Sequence, residues 1–320
     1  MTDDVEARPG DSLGPAAVDQ VTAVVVTYNS GRHLAGLART LGSGTLAPAR
    51  MLAVDNASND DTVACARAAG FELIERDSND GFGAGCNVGL LAASTEFVLF
   101  CNPDVQPSRS ALERMLAALA STPNAAVAGA ALGEPAQARR FSRITASLVG
   151  FLPGPIQGRA QRFKRDVLVD QDEEQIVVDY VEGAFMLCRV AALRSVGGFD
   201  TRFFLYCEEE DLSRRLDERG WKTLLVPPAR VAHQQSSSSV GVDGAAMAPF
   251  RVHSIYWYYR TYHSRLYAEC SRCMIAALVT IDRIYRVLAH RSQVYGSGTA
   301  LAAFRSIDSV RSNYRRWADA

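Results

Sequence analysis

The chain lacks any apolar run approaching the ~20 residues that a bilayer-spanning helix needs. No transmembrane segment is therefore expected. The first residues lack a basic stretch followed by an apolar core, so no secretory leader is expected and the compartment reads as cytoplasmic. The seven cysteines lack a partner for one of their number and any framework spacing, which suits reduced thiols rather than disulfides. Cys270 and Cys273 form a C-x-x-C, but the sequence lacks the second pair or nearby histidine that would complete a zinc set. No recognisable nucleic-acid module is present either, so nucleic acid is not an expected partner.

What is there is ordinary in bulk and uneven in distribution. Hydrophobic residues make up 48% and charged residues 22% of 320, enough for one large domain or two smaller ones with a full core. The net charge of −1 conceals a split. From Arg251 onward, 11 arginines face 4 acidic residues, giving +7, while the preceding part carries −8. A basic tail of this kind suits an anionic surface.

Residues 1–19 are polar, without periodicity, and read as a disordered tail. Apolar runs at 21–26, 51–54, 71–74 and 96–100 read as strands. Between them Leu34, Leu37 and Leu41 recur at helical spacing, Asp60 is placed to cap a helix over 62–69, and a glycine-rich loop leads to a helix near 88–93. Ser110 and Glu113 predict a capping box on a helix over 111–120. The stretch from 135 to 174 is rich in Arg, Gly and Pro and reads as a mobile loop over the site. Strands follow at 176–181, 183–188 and 223–226, with helices at 190–196 and 211–219. Alternating strands and helices predict an α/β fold with a mostly parallel sheet covered on both faces.

In such sheets ligands gather at the carboxyl ends of the strands. Thr27, Tyr28 and Asn29 follow the first strand, Asp55 and Asn56 the second, and Asn102, Pro103 and Asp104 the fourth. Asp55 can accept from a nucleobase or a ribose hydroxyl, although an Asx-turn explains it equally well. Gly83, Gly85 and Asn87 lie in a glycine-rich stretch whose spacing does not fit a dinucleotide fingerprint, but whose small residues allow a sugar nucleotide to approach the backbone. Asp104 can hold a hard divalent cation, and His233 can ligate that cation or touch phosphate; a turn and a structural histidine are the plainer alternatives.

The densest chemistry lies in Phe204-Leu-Tyr-Cys-Glu-Glu-Glu-Asp211. Acidic residues suit a helix N-terminus, but four in succession exceed what capping needs. Their mutual repulsion raises at least one pKa, which is how a carboxylate becomes a general base.

Read together, Val24-Val-Val-Thr-Tyr-Asn29, Val54-Asp-Asn-Ala-Ser58, Gly81-Phe-Gly-Ala-Gly-Cys-Asn87, Phe100-Cys-Asn-Pro-Asp104, Gly197-Gly-Phe-Asp200 and the acidic run resemble family 2 glycosyltransferases, nearest to the bacterial rhamnosyltransferase-like branch. The resemblance spans roughly 20–240 and implies a GT-A fold, a nucleoside-diphosphate sugar donor, Mg²⁺ or Mn²⁺, and inversion at the anomeric carbon. By motif match it places Thr27, Asn29 and Asp55 near the nucleoside and Asp104 on the metal, with Asn102 in place of the first Asp of the D-x-D pair. Position and chemistry add Tyr28, Asn56, Gly83, Gly85, Asn87 and Asn102 to the donor side, His233 to the metal, and Glu182 and Gly183, at a strand start near the acidic run, to the acceptor pocket. Glu209 stands where the family usually has the Asp of its base motif, and Glu208 or Asp211 are the alternatives.

The implied activity is transfer of a sugar such as rhamnose to a lipid-linked or polysaccharide acceptor in cell-envelope synthesis. Another sugar on the same scaffold, or a non-catalytic sugar-nucleotide-binding partner, are the competing readings. A nucleotidyltransferase would carry a Gly-rich, basic loop where this chain has Thr27-Tyr-Asn-Ser30. The catalytic domain is expected over 20–250, followed by a basic, aromatic helical extension over 251–320. Interleaved aromatics and arginines from Ile255 to Tyr267, then a helix over 274–288, suit the inner face of the plasma membrane through 251–290. Packing on the catalytic domain or an oligomer contact would use the same residues.

Overall fold

The computed structural model describes residues 20–133, 136–143, 167–170, 172–233 and 244–288. The expected disordered tail and most of the expected loop between 144 and 166 lie outside them.

The first half alternates strictly: β1 (Val21–Thr27), α1 (Gly31–Gly42), β2 (Arg50–Asp55), α2 (Thr62–Ala68), β3 (Glu72–Glu75), α3 (Phe82–Ala92) and β4 (Phe97–Cys101). After it come β5 (Val105–Pro107), α4 (Ala111–Ser121), β6 (Ala125–Ala131), β7 (Gln137–Ala138), β8 (Val167–Leu168), β9 (Ile176–Val178) and β10 (Phe185–Arg189). The chain continues through α5 (Val190–Ser195), α6 (Glu208–Asp217), β11 (Lys222–His233), α7 (Gly244–Tyr262) and α8 (Arg265–Leu288). Nine strands form one sheet in the order β3-β2-β1-β4-β10-β6-β11-β5, with β9 paired to β11. It is parallel from β3 to β4 and mixed beyond, where β10 runs antiparallel to both of its neighbours.

Side chains alternate across the sheet, and each face builds its own core. Val21, Ala23 and Val25 point toward α1, α2 and α4, meeting Leu34, Leu37, Ala66 and Met115. Val24 points the other way, toward Cys86 and Leu90 of α3 and Leu212 and Leu216 of α6. Polar residues at the ends of β1, β2 and β4 are thereby delivered to one edge.

Several local expectations change. The helix expected near 88–93 begins at Phe82, so the glycine-rich stretch is itself helical. Glycine is costly in a helix, but here it is required. A Cβ on Gly85 would come 2.6 Å from Val26 Cγ1, and one on Gly89 would come 2.2 Å from Val24 Cγ1. Ser110 and Glu113 do not form a capping box: Ser110 Oγ accepts from Arg114, and Glu113 accepts from Thr45. The strand expected at 223–226 runs on to His233, its register breaking between Val226 and Arg230 at the two prolines. Its last residues then pair with β5, setting His233 opposite Val105.

The acidic helix starts at Glu208, three residues before the expected Asp211. Tyr206 and Cys207 both sit at positive φ (72° and 67°), a costly conformation for residues with a Cβ, and together they turn the chain sharply into α6.

The aromatic segment after Arg251 is largely turned inward. Tyr258 and Tyr259 of α7 are buried with Val252, Ile255, Phe203, Ala268 and Ile275. These rings pack against the catalytic domain and are not available as a membrane belt. The second helix starts at Arg265, well before the expected 274. No helix among the described residues is long and apolar enough to cross a membrane.

Candidate active site

At the ends of β1 and β2, Asp55 is buried and its carboxylate is ringed by donors. Thr27 Oγ1 donates to Oδ1 (2.9 Å), and Ser58 donates through its amide to Oδ2 (2.8 Å) and through its hydroxyl to Oδ1 (2.6 Å). Asn29 holds the adjoining turn at φ 48°, accepting from the Asn59 amide. Tyr28 lies beside it, its carbonyl accepting from Ser30. Asn56 donates to the Gly81 carbonyl (3.2 Å) and accepts from Arg76 (2.6 Å), which also pairs with Asp80. Arg76 extends this edge beyond the residues that the sequence singled out, and Ser58, quoted there only within a motif, proves to be a direct partner of Asp55.

Gly83, Gly85 and Asn87, expected beside the donor, make close contacts within the fold. Gly83 faces Phe199 and Gly85 faces Val26. Asn87 donates to the Phe199 carbonyl and accepts from the Phe199 amide, both at 2.8 Å, tying α3 to the loop before the acidic run. Asn87→Ala should lower stability by about 1–3 kcal/mol, since it strands a backbone pair. A urea midpoint equal to that of the native chain would refute this.

At the end of β4, Asp104 is buried, and one of its oxygens lies 3.3 Å from His233 Nε2. Asn102 Nδ2 is 3.5 Å from the same nitrogen. The hydrogen bond to Asp104 raises the His233 pKa against the opposing effect of burial. One carboxylate with a neighbouring imidazole suits a divalent cation that takes its remaining ligands from phosphate and water. No group of three or more metal-capable side chains occurs among the described residues.

Asn102 and His233 also line a cavity of about 470 Å³ whose floor is the first turn of α6. The four acidic residues there have separate surroundings. Asp211 is fully buried, pairs with Arg215 (2.7 Å) and accepts from the Tyr262 hydroxyl (2.7 Å), and it is not among the residues that line the cavity. Glu210 accepts from the Ser142 amide and from its hydroxyl (2.9 Å), fastening the segment after β7 over α6. Glu208 and Glu209 each present a buried Oε2 with no hydrogen-bond partner among the described residues. Burial, and then the Glu209 charge, push the Glu208 carboxyl well above its ordinary value. Glu209 is pushed up to about 7 by burial, with hydrogen bonds from its own amide and that of Gly183 opposing and the charges of Glu182 and Glu210 adding to the rise. Glu182 lines the same cavity, paired with Arg139.

The comparisons with known proteins bear on the family and the fold. The pattern described as Glycosyl transferase family 2 matches residues 22–197. An N-acetylglucosaminyl-diphospho-decaprenol L-rhamnosyltransferase of Mycobacterium tuberculosis is 29% identical over 267 residues, covering 77% of this chain and 86% of that protein. Rhamnosyltransferase WbbL of Escherichia coli is 27% identical over 53% of this chain and 66% of its own length. Among solved structures, the mannosyltransferase PcManGT from Pyrobaculum calidifontis, in complex with GDP-Man and Mn²⁺, superposes with a TM-score of 0.55 at 16% identity, covering 98% of this chain and 87% of that one. Glucosyl-3-phosphoglycerate synthase from Mycobacterium tuberculosis gives 0.52 at 15% identity, over 80% and 85%. The sheet, the polar edge and the sequence match converge: the chain belongs to glycosyl transferase family 2, on a GT-A fold.

Proposed function

We propose that this protein moves a sugar, rhamnose on the strength of its relatives, from a nucleoside diphosphate to a hydroxyl of a lipid-linked acceptor with inversion, and that Glu209 is the general base. The observation that carries the reading is Glu209 itself: a half-buried residue facing the cavity, its Oε2 buried and unpartnered among the described residues and its pKa pushed up to about 7. Ionised, it accepts the acceptor's proton as the hydroxyl attacks the anomeric carbon opposite the leaving diphosphate. Asp55, Asn56 and the Thr27–Asn29 turn suit the nucleoside, and Glu182 with Gly183 borders the acceptor side. Asp104 and His233 would hold Mg²⁺ or Mn²⁺, which neutralises charge on the departing diphosphate. The glutamate in place of the family's usual aspartate does not argue for a non-catalytic protein, because its environment is that of a tuned base.

We place the protein on the cytoplasmic membrane face, where a lipid-linked acceptor resides. Support comes from α8, which exposes Leu266, Met274 and Ile281. Retention on anionic vesicles in a flotation assay is the expected result; full recovery in the soluble fraction would refute it.

The donor reading is tested by thermal shift with nucleoside diphosphates and their sugars, with and without Mn²⁺. Binding raises the melting temperature by mass action. One nucleotide should give a metal-dependent shift, and Asp104→Asn should lose the metal-dependent part. Absence of a shift with every nucleotide would sink the transferase reading.

A further inference from the structure

The turn that carries Glu209 is held by two residues, Arg214 and Tyr258, that are not among those lining the cavity. They act on Glu210, the next residue along. Its carboxylate accepts from the amide and hydroxyl of Ser142 and from the hydroxyl of Tyr258 on α7. Arg214, one helical turn further on, donates to the Tyr258 oxygen (3.2 Å). A guanidinium has no acceptor, so this bond leaves the Tyr258 proton for Glu210. The same guanidinium lies 4.3 Å from the centre of the Tyr262 ring, 5.4 Å from Phe141 and 5.9 Å from Tyr258. Aromatic faces attract a cation. Phe141 and Ser142 belong to the segment after β7, which brings Arg139 and Arg140 to the cavity. The Phe141 amide donates to Asp179 (2.8 Å), which fastens that segment from its other side.

Anchoring α7 to α6 does not require this network, because Tyr262 on Asp211 already joins the two helices. The link through Glu210 adds a third part, the segment over the cavity. We propose that Arg214 and Tyr258 are positioning residues for the transfer, acting through Glu210 to fix residues 139–142 over the cavity and the turn that bears Glu209. This rests on Glu209 as the base. The acidic groups around Glu209 are Glu208 and Glu210 on its own turn and Glu182 before β10. The basic groups lining the same cavity are Arg139 and Arg140 after β7, Arg251 on α7 and His233 at the end of β11. Donors to Glu210 favour its ionised form, and its charge raises the proton affinity of Glu209. Losing those donors therefore moves the working range of the base to lower pH.

The test has two arms on the full chain. The first is the pH–rate profile of transfer to N-acetylglucosaminyl-diphospho-farnesol, with the donor found by thermal shift. Glu210→Gln should move the limb near pH 7 down by roughly half a pH unit or more, and Tyr258→Phe should move it the same way. Acceptor KM should rise roughly three- to tenfold, with donor KM unchanged. Arg214→Lys should keep part of what Arg214→Ala loses. Tyr262→Phe, which breaks only the neighbouring bond to Asp211, should leave the limb and acceptor KM in place. The second arm needs no acceptor: hydrogen exchange across 139–142 should quicken roughly tenfold in Tyr258→Phe and Glu210→Gln and stay native in Tyr262→Phe. A limb or an exchange rate that does not move, or that moves equally in Tyr262→Phe, would overturn the positioning role while leaving Glu209 as the base. A native profile without the limb would remove Glu209 as the base, and this inference with it.

Discussion

Glu209→Gln will abolish transfer and, above neutral pH, make the protein more stable. Both effects follow from one buried carboxylate. As a general base, Glu209 acts only when ionised, so the rate of the native protein should rise with pH through about 7 and then level off. Glutamine cannot take the proton, and a loss of roughly 10²- to 10⁴-fold is expected, with no pH-dependent limb remaining. The stability effect has a definite sign. The folded-state pKa is raised from 4.5 to about 7, so between these values the folded chain keeps a proton that the unfolded chain has lost. Stability from this group is complete below pH 4.5 and is lost as pH rises through 7. Glutamine escapes that loss, and its advantage above pH 7 is on the order of 3 kcal/mol at 1.36 kcal/mol per pKa unit. Urea unfolding at pH 5 and pH 8, beside donor binding by thermal shift, checks the pair. A variant that keeps its rate, or one no more stable than the native chain at pH 8, would remove Glu209 from the role of tuned base.

Asp211→Ala, two residues away, should do the opposite to stability. Asp211 is closed on both sides, by Arg215 and by the Tyr262 hydroxyl. Arg215 also donates to the carbonyls of Val196 and Gly198 at 2.8 Å, so it is fixed in place and cannot follow a lost partner into solvent. Removing the carboxylate leaves a largely buried guanidinium uncompensated, which costs about 3–5 kcal/mol. Tyr262→Phe removes one hydrogen bond to the same carboxylate and should cost about 1.5–3 kcal/mol. The double variant should lose less than the sum, because both changes act on one group. Additive losses, or an Asp211→Ala midpoint close to native, would show that the pair does not hold α6.

The contrast explains what could be read from the chain and what could not. Strands β1, β2 and β4, with the polar residues that end them, were legible because buried parallel strands are short apolar runs and their ends face the ligand edge. The acidic run was legible as chemistry, but its four members were not separable. Glu210 is defined by Ser142, Asp211 by Tyr262, and Glu209 by Gly183, partners that local pattern cannot reveal. The start of α3 was missed because glycine's low helix propensity was overruled by close packing on Val24 and Val26. The end of β11 was not read beyond Val226; past the two prolines the chain changes pairing partner and carries His233 to Asp104. The arginines of the cavity had no motif at all, and only folding brings them together.

The contact between α6 and α7 sets a limit on exchange between relatives. Arg214 donates to the Tyr258 hydroxyl (3.2 Å) and lies 4.3 Å from the centre of the Tyr262 ring, while Tyr262 reaches Asp211. The matching family pattern ends at 197, upstream of all of these residues. A chimera spliced at that boundary would keep α6 and α7 from one parent. A chimera spliced between them, near 233–244, would join a base-bearing helix to a stranger's tyrosines. Such hybrids should fold poorly whatever donor they retain, so the acidic turn and the helical hairpin have to be exchanged together.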